Sequence, residues 1–177
     1  IIMGNSFTNV LSGGLGNDTL RASGGSDTYD GGGGTDVLDF SSLNGAGNSV
    51  TLALNTSTNA FATIGGLGVT QRVVNIENVI GTDGNDTISA DSASNVIDAG
   101  DGNDVIYGFT GLDSLVGGLG SDTLRYDNLV GMSVAIDASV NVANLSNGDV
   151  NAINGFEIFY GSALNDSIFG TGINETI

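Results

Sequence analysis

The chain has no cysteine, no proline, no tryptophan and no histidine. Without cysteine there is neither a disulfide scaffold nor a thiolate metal site. Without histidine there is no imidazole ligand or imidazole base, and a Ser-His-Asp triad is excluded. A Gly-x-Ser-x-Gly elbow is also missing. Only three residues are basic, and all are arginines (Arg21, Arg72, Arg125). A phosphate-cradling P-loop, which needs a lysine, is therefore ruled out. A formal charge of -17 leaves too few cations to neutralise phosphates, so no nucleic-acid partner is expected. No apolar run approaches the roughly 20 residues that span a bilayer, so no membrane span is expected. The first residues also lack a basic stretch followed by an apolar core.

What the chain does contain is glycine and acid, with 30 glycines and 20 Asp or Glu among 177 residues. These are not scattered. Gly13-Gly14-Leu15-Gly16-Asn17-Asp18-Thr19-Leu20-Arg21 returns as Gly117-Gly118-Leu119-Gly120-Ser121-Asp122-Thr123-Leu124-Arg125. The shared nine-residue frame is Gly-Gly-x-Gly-x-Asp-x-apolar-x, and a fixed short period is the mark of a solenoid. With the acid at position six, the first block reads 4–12, 13–21, 22–30 and 31–39, placing Asn9, Asp18, Asp27 and Asp36 there. The second block, 81–125, places Asp86, Asn95, Asp104, Asp113 and Asp122 at position six. Asp166 and Glu175 follow in a third block. Extending the frame backwards over 72–80 and 152–160 puts Glu77 and Glu157 at position six. All three glutamates of the chain thus fall at the position where the frame wants a carboxylate.

Position eight, two residues after each acid, is apolar: Leu11, Leu20, Tyr29 and Leu38, then Ile88, Ile97, Ile106, Leu115 and Leu124. Glycine-rich β-turns with Asn-Asp tips would account for the Gly and Asp enrichment. They would not account for this phase-locked apolar residue. The x-apolar-x triplet reads as a short strand that buries its central side chain. Calcium takes six to eight oxygens from carboxylates and backbone carbonyls. One glycine turn offers too few, whereas two stacked turns suffice. With alternate nonapeptides forming opposite walls, ligand partners lie two repeats apart. The expected pairs are Asp18 with Asp36, Asn9 with Asp27, Asp86 with Asp104, and Asp104 with Asp122. Weaker pairs are Asn95 with Asp113, Glu77 with Asn95 and Glu157 with Glu175. The glycines at position one, Gly13, Gly31, Gly81 and Gly117, complete the candidate metal set.

Two stretches break the pattern and resemble each other. Ser49–Asn55 and Ser133–Ser139 both alternate apolar and polar, and 76–81 matches 156–161. Alternation argues half-buried strands. The expected organisation is a repeat block over 1–39, a strand-rich insert over 40–80, a repeat block over 81–125, a second insert over 126–160 and the start of a further block over 161–177. The inserts are read as wider coils of the same solenoid, with loops 55–60 and 141–149 bulging out, in preference to separate sandwich domains. Because the pattern runs to both ends, the chain is expected to be a segment of something longer.

The frame closely resembles that of the RTX (repeats-in-toxin) family of bacterial proteins exported by type I secretion, over 4–39, 72–125 and 152–177. The resemblance implies an all-β fold, a right-handed parallel β-roll that binds several calcium ions and folds on reaching extracellular calcium. Asn9, Asn95 and the glycine-poor repeat 90–98 depart from the pattern. The family's enzymes and toxins carry their activity in other domains, and nothing in this chain points to catalysis. Its aspartates repeat too regularly to be a catalytic carboxylate pair. The expected role is a calcium-dependent structural segment of a large secreted or cell-surface protein, of adhesin, surface-layer or filament type, able to join other copies of itself. The alternative is a secretion and folding module of an exported enzyme or toxin.

Overall fold

The computed structural model describes residues 1–43, 45, 47–55 and 60–171. Glycine runs disfavour helix, and each apolar residue at position eight is flanked by residues suited to a strand. The result, among the described residues, is nineteen short strands and a single 3-10 turn, Ser41–Leu43. The first block gives β1 (Ile2–Met3), β2 (Val10–Leu15), β3 (Thr19–Arg21), β4 (Thr28–Gly33) and β5 (Val37–Asp39). The first insert gives β6 (Val50–Ala53), β7 (Ala60–Ile64), β8 (Val69–Val74) and β9 (Asn78–Ile80). The second block gives β10 (Thr87–Ser89), β11 (Val96–Asp101), β12 (Val105–Tyr107), β13 (Ser114–Leu119) and β14 (Thr123–Arg125). β15 (Val134–Asp137), β16 (Val142–Leu145), β17 (Val150–Asn154), β18 (Ile158–Tyr160) and β19 (Ser167–Phe169) complete the order.

Successive repeat strands alternate between two walls, which makes the chain a β-roll. One wall is a ten-stranded sheet, β1-β3-β5-β9-β11-β13-β17-β16-β15-β19. The other is nine-stranded, β18-β14-β12-β10-β6-β7-β8-β4-β2. Within a block the pairing is parallel with an 18-residue register: Leu11 against Tyr29, Leu20 against Leu38, Ile88 against Ile106 and Ile97 against Leu115. One circuit therefore consumes two nonapeptides, as the frame requires. The residues at position eight form continuous ladders on the inner faces. Leu20, Leu38, Ile88, Ile97, Ile106, Leu115 and Leu124 are completely buried. They are the core.

The strand-rich inserts stay within these walls. They do so as antiparallel meanders, and the bulge expected over 141–149 contains a paired strand instead. β6-β7-β8 lies between β10 and β4 in the nine-stranded sheet, and β15-β16-β17 lies between β19 and β13 in the ten-stranded one. Of the other expected bulge, 55–60, residues 56–59 lie outside the described residues. The physical reason for a meander is that alternating strands with one apolar face pair readily with a neighbour in the same sheet. The two inserts fall on opposite walls because five nonapeptides, each half a circuit, lead from β9 at the end of the first insert to β14 at the start of the second. Each insert opens with an aromatic residue followed three positions later by leucine, Phe40 with Leu43 and Tyr126 with Leu129. In both, the leucine amide bonds the aromatic residue's carbonyl, at 2.8 and 3.0 Å, and both aromatic rings are fully buried. These plugs fill the interior where one wall has gained strands.

On the outer face of the nine-stranded wall, Tyr107, Arg125 and Tyr160 are in register. The Arg125 guanidinium sits 5.3 Å from the Tyr107 ring centre and 4.4 Å from that of Tyr160, and Asp127 pairs with it. Arg125→Ala should lower the melting stability of the calcium-loaded chain by about 1 kcal/mol, the worth of an exposed cation–π contact. Its calcium-binding stoichiometry should not change.

Candidate metal centre

The turns between strands stack along the two edges of the roll. On one edge they lead from the nine-stranded to the ten-stranded wall (13–18, 31–36, 75–77, 90–95, 108–113, 161–166). On the other they lead back (4–9, 22–27, 81–86, 99–104, 117–122, 155–157). Along both edges turns donate their position-six backbone N–H to the acid of the next turn, while Asp113 donates instead to the amide Oδ1 of Asn151. On the first edge Asp18 donates to Asp36 Oδ1 at 2.7 Å, and Asp36 donates to Glu77 Oε2 at 2.8 Å. Asn95 donates to Asp113 Oδ1 at 3.0 Å. On the second edge Asn9 donates to Asp27, Asp86 to Asp104, Asp104 to Asp122, and Asp122 to Glu157, all between 2.7 and 2.8 Å. The turn geometry thus uses one oxygen of each carboxylate. Oδ2 of Asp36, Asp104, Asp113 and Asp122 is buried with no hydrogen-bond partner, although none of these residues is more than 3% exposed. Buried carboxylate oxygens without a donor are costly, and a cation is the natural complement.

Backbone carbonyls supply the remaining oxygens. A Cβ at Gly32 or Gly34 would overlap the carbonyl oxygens of Gly14 and Gly16, and one at Gly118 or Gly120 would overlap those of Gly100 and Gly102. These carbonyls therefore project along the stack toward the next turn. The glycines at position one have a related duty. A Cβ on Gly13, Gly31, Gly81 or Gly117 would be forced between the acid of its own turn (Asp18, Asp36, Asp86, Asp122) and a carbonyl of the next (Gly31, Asn75, Ala99, Gly155). Among the described residues no three acidic side chains gather as a metal cluster. A site here is two carboxylates from adjacent turns together with glycine carbonyls, a hard-oxygen set suited to calcium.

The sequence profile of the RTX calcium-binding nonapeptide repeat in four copies matches residues 3–38, 75–106 and 89–124. Those residues carry RTX calcium-binding repeats. Such repeats bind several calcium ions per repeat region, and both the open carboxylates and the glycine cradles of this chain fit that ion. No curated protein matches the chain. Among the described residues no helix is long and apolar enough to cross a membrane.

Electrostatics within the RTX turns follow from this packing. Burial pushes the Asp104 carboxyl up to about 7, reinforced by the neighbouring charges of Asp86, Asp122 and Asp101. Burial also brings Asp113 to about 7, with Asp91 and Asp149 adding to the effect. Asp86 and Asp122 are raised for the same primary reason.

The expected pairs mostly come together: 18 with 36, 9 with 27, 86 with 104, 104 with 122 and 95 with 113 are each joined by a hydrogen bond. Glu77 and Asn95 meet differently, because Asn95 Nδ2 donates to the Glu77 backbone carbonyl at 2.8 Å. The Glu77 carboxylate faces back across the insert to Asp36. Glu157 does the same toward Asp122, while its expected partner Glu175 lies outside the described residues. These two acids stand on three-residue turns, Asn75-Ile76-Glu77 and Gly155-Phe156-Glu157, with Asn75 and Gly155 at positive φ (51° and 70°). The longer glutamate side chain spans the gap that the missing glycine loop leaves.

Not every acid is open. Asp86 Oδ2 accepts from the Thr82 backbone and its Oδ1 from the Thr82 hydroxyl and the Val50 amide. Asp166 Oδ1 accepts from Ser162 Oγ and the Val134 amide. Asn9 and Asn95 accept from the backbone at Asn5 and Asp91. What separates the classes is position two. Asn, Thr, Asp or Ser there closes the turn on its own acid, while glycine, or Phe109 in the turn of Asp113, leaves it open. That distinction is visible in the sequence at Asn5, Thr82, Asp91 and Ser162 against Gly14, Gly32, Gly100 and Gly118.

Proposed function

We propose that this segment is a calcium-dependent structural β-roll of a large secreted or cell-surface bacterial protein, and that it performs no catalysis itself. The observation that carries the reading is the row of buried carboxylate oxygens without a donor (Asp36, Asp104, Asp113, Asp122), set among converging glycine carbonyls. Asp18, Asp36 and Glu77 would hold ions on one edge, and Asp104, Asp122 and Glu157 on the other, with Gly13, Gly31 and Gly117 leaving the necessary space. Asp86, at the start of the second stack, contributes through its bond to Asp104. A bound calcium ion supplies the positive charge that lets stacked, desolvated carboxylates stay ionised side by side. Everything else is the work of the chain. The glycines admit the carbonyls, the amide ladder fixes one oxygen of each acid, and the apolar ladders hold the two walls in register. Because ligands come from successive turns, the energy of the sites becomes energy of folding.

A chain that repels itself at low calcium stays unfolded for export and folds outside, which is why we favour a secreted or surface location. The roll is one-dimensional, and its end strands, β1 and β2 at one end and β18 and β19 at the other, have unpaired edges among the described residues. Further repeats or a second copy would stack there, as suits an adhesin stalk or surface filament. Trypsin tests the folding claim with few ambiguities, since only Arg21, Arg72 and Arg125 can be cut and each lies in a strand. With millimolar calcium the chain should remain intact for hours. With chelator it should fall quickly to four fragments. Equal resistance in both conditions would remove the calcium-folding reading.

A further inference from the structure

The turn 22–27 has the backbone of a calcium turn, yet the protein's own side chains occupy it. In the open turns the carbonyls at positions two and four, such as those of Gly14 and Gly16, project along the stack. Their equivalents at 22–27 are the carbonyls of Ser23 and Gly25. Both receive the side-chain amide of Gln71, whose Nε2 lies 2.7 Å from Ser23 O and 3.3 Å from Gly25 O. Gln71 is completely buried. It comes from β8, the meander strand that lies where the next nonapeptide would otherwise pass.

The acid of this turn is equally spoken for. Asp27 Oδ1 accepts from the Asn9 amide at 2.8 Å. Its Oδ2 accepts from Ser23 Oγ at 3.0 Å and from the Tyr29 hydroxyl at 2.9 Å. The Tyr29 hydroxyl in turn accepts from the Ser23 amide at 2.9 Å. The sequence changes that make this possible all depart from the repeat: Ala22 and Ser23 stand where 13–21 and 31–39 have two glycines, and Tyr29 replaces the leucine at position eight. An NH2 group presents two donors and no acceptor, which makes it the side-chain counterpart of a cation for a pair of carbonyls.

We propose that Gln71 stands in for a calcium ion at the turn 22–27, so that the first block carries its ions on the 13–18, 31–36 and 75–77 edge alone. The inference rests on the calcium reading above and narrows it to particular turns. The second insert offers a contrast. Asn151 occupies the corresponding place on β17, since Ala152 donates to the Asp113 carbonyl as Arg72 does to that of Asp27. The asparagine is one methylene shorter. Its amide bonds the Tyr126 hydroxyl and its Oδ1 the Asp113 backbone N–H, leaving Asp113 Oδ2 without a partner. Only the glutamine takes over the carbonyl pair.

Equilibrium dialysis with radioactive calcium, counting ions per chain, tests this. Asp27→Asn should bind as many ions as the unaltered chain, whereas Asp36→Asn should bind fewer. Gln71→Glu replaces the two donors by an acceptor facing two carbonyls, so it should bind one ion more than the unaltered chain. It should also be less folded in chelator. Loss of an ion in Asp27→Asn equal to that in Asp36→Asn would overturn the proposal. So would a Gln71→Glu chain with an unchanged count, and that variant decides the matter if Asp27→Asn does not fold. An unaltered chain that binds no calcium would overturn the calcium reading itself, a result distinguishable from either of the others.

Discussion

Gly117→Ala is expected to raise the calcium concentration needed for folding by about tenfold or more, a penalty of at least 1.4 kcal/mol at the site. The added Cβ would meet the Gly155 carbonyl oxygen and lie 2.7 Å from Asp122 Cβ. Such overpacking against backbone typically costs about 1–3 kcal/mol even where no ion is involved. Here it also fills the gap between an open carboxylate and the carbonyl that faces it. Gly31→Ala should behave in the same way in the first block, where the Cβ would stand 2.5 Å from Asp36 Oδ2 and against the Asn75 carbonyl. The control is Gly33→Ala. Gly33 lies in the same turn as Gly31, but its Cβ would meet only the end of the exposed Leu15 side chain, at 3.3 Å. A calorimetric calcium titration of the three variants checks the claim. Equal behaviour of Gly33→Ala and Gly31→Ala would mean that glycine serves the turn's backbone and not the ion.

The sequence carries this contrast at position one of the frame, and it carries the strand triplets and the wall alternation for the same reason. Each nonapeptide is a complete local instruction, with glycines for a turn and one apolar residue to bury, so period alone locates the core from Leu11 to Leu124. The inserts lack such a period. Their alternating strands announce half-buried β structure, but not whether the strand after Ala53 turns back within its own sheet or crosses to the opposite wall. That choice depends on which strand edge is left open three-dimensionally, beside β4 and β10. The partners of Glu77 and Glu157 were hidden for the same reason. Counting in eighteens from Asp36 and Asp122 reaches Leu54 and Val140, neither of which is acidic, because a meander has replaced the next repeat. Gln71 and Asn151 left only a faint signal, a buried amide in an otherwise alternating strand. Their function becomes legible once the meander places them beside Ser23 and Asp113.

Acid is expected to substitute in part for calcium. Asp104 and Asp113 titrate near 7 in the folded chain, against an ordinary carboxyl value of 3.8, and Asp86 and Asp122 are shifted in the same direction. A group whose folded value exceeds its unfolded one favours the fold fully below the unfolded value. That contribution disappears as the pH rises through the folded value. In chelator the β-roll should therefore be best formed near pH 4–5 and progressively lost toward pH 7 and above. Two groups limit the gain at the acid end. Burial works against ionisation of Asp39, but Ser41 and Arg21 outweigh it and hold the carboxyl low. Arg125 holds Asp127 low. Both contributions are lost as the pH falls below about 4. Calcium binding at pH 7 should also release protons, because Asp104 and Asp113 are then part-protonated. Calorimetry in buffers of differing ionisation enthalpy reads that release, and a calcium-binding heat independent of buffer would contradict it.

The most direct test of the account is far-UV circular dichroism of the chain at pH 7.5 during a calcium titration, with magnesium in parallel. Calcium-coupled folding should give little β signal in chelator, a cooperative rise between micromolar and millimolar calcium, and no comparable rise with magnesium, which demands a tighter octahedral shell. A full β spectrum in chelator, unchanged by calcium, would contradict it. The buried aspartates would then be turn residues held by the fold, and the ions would have no part in making it.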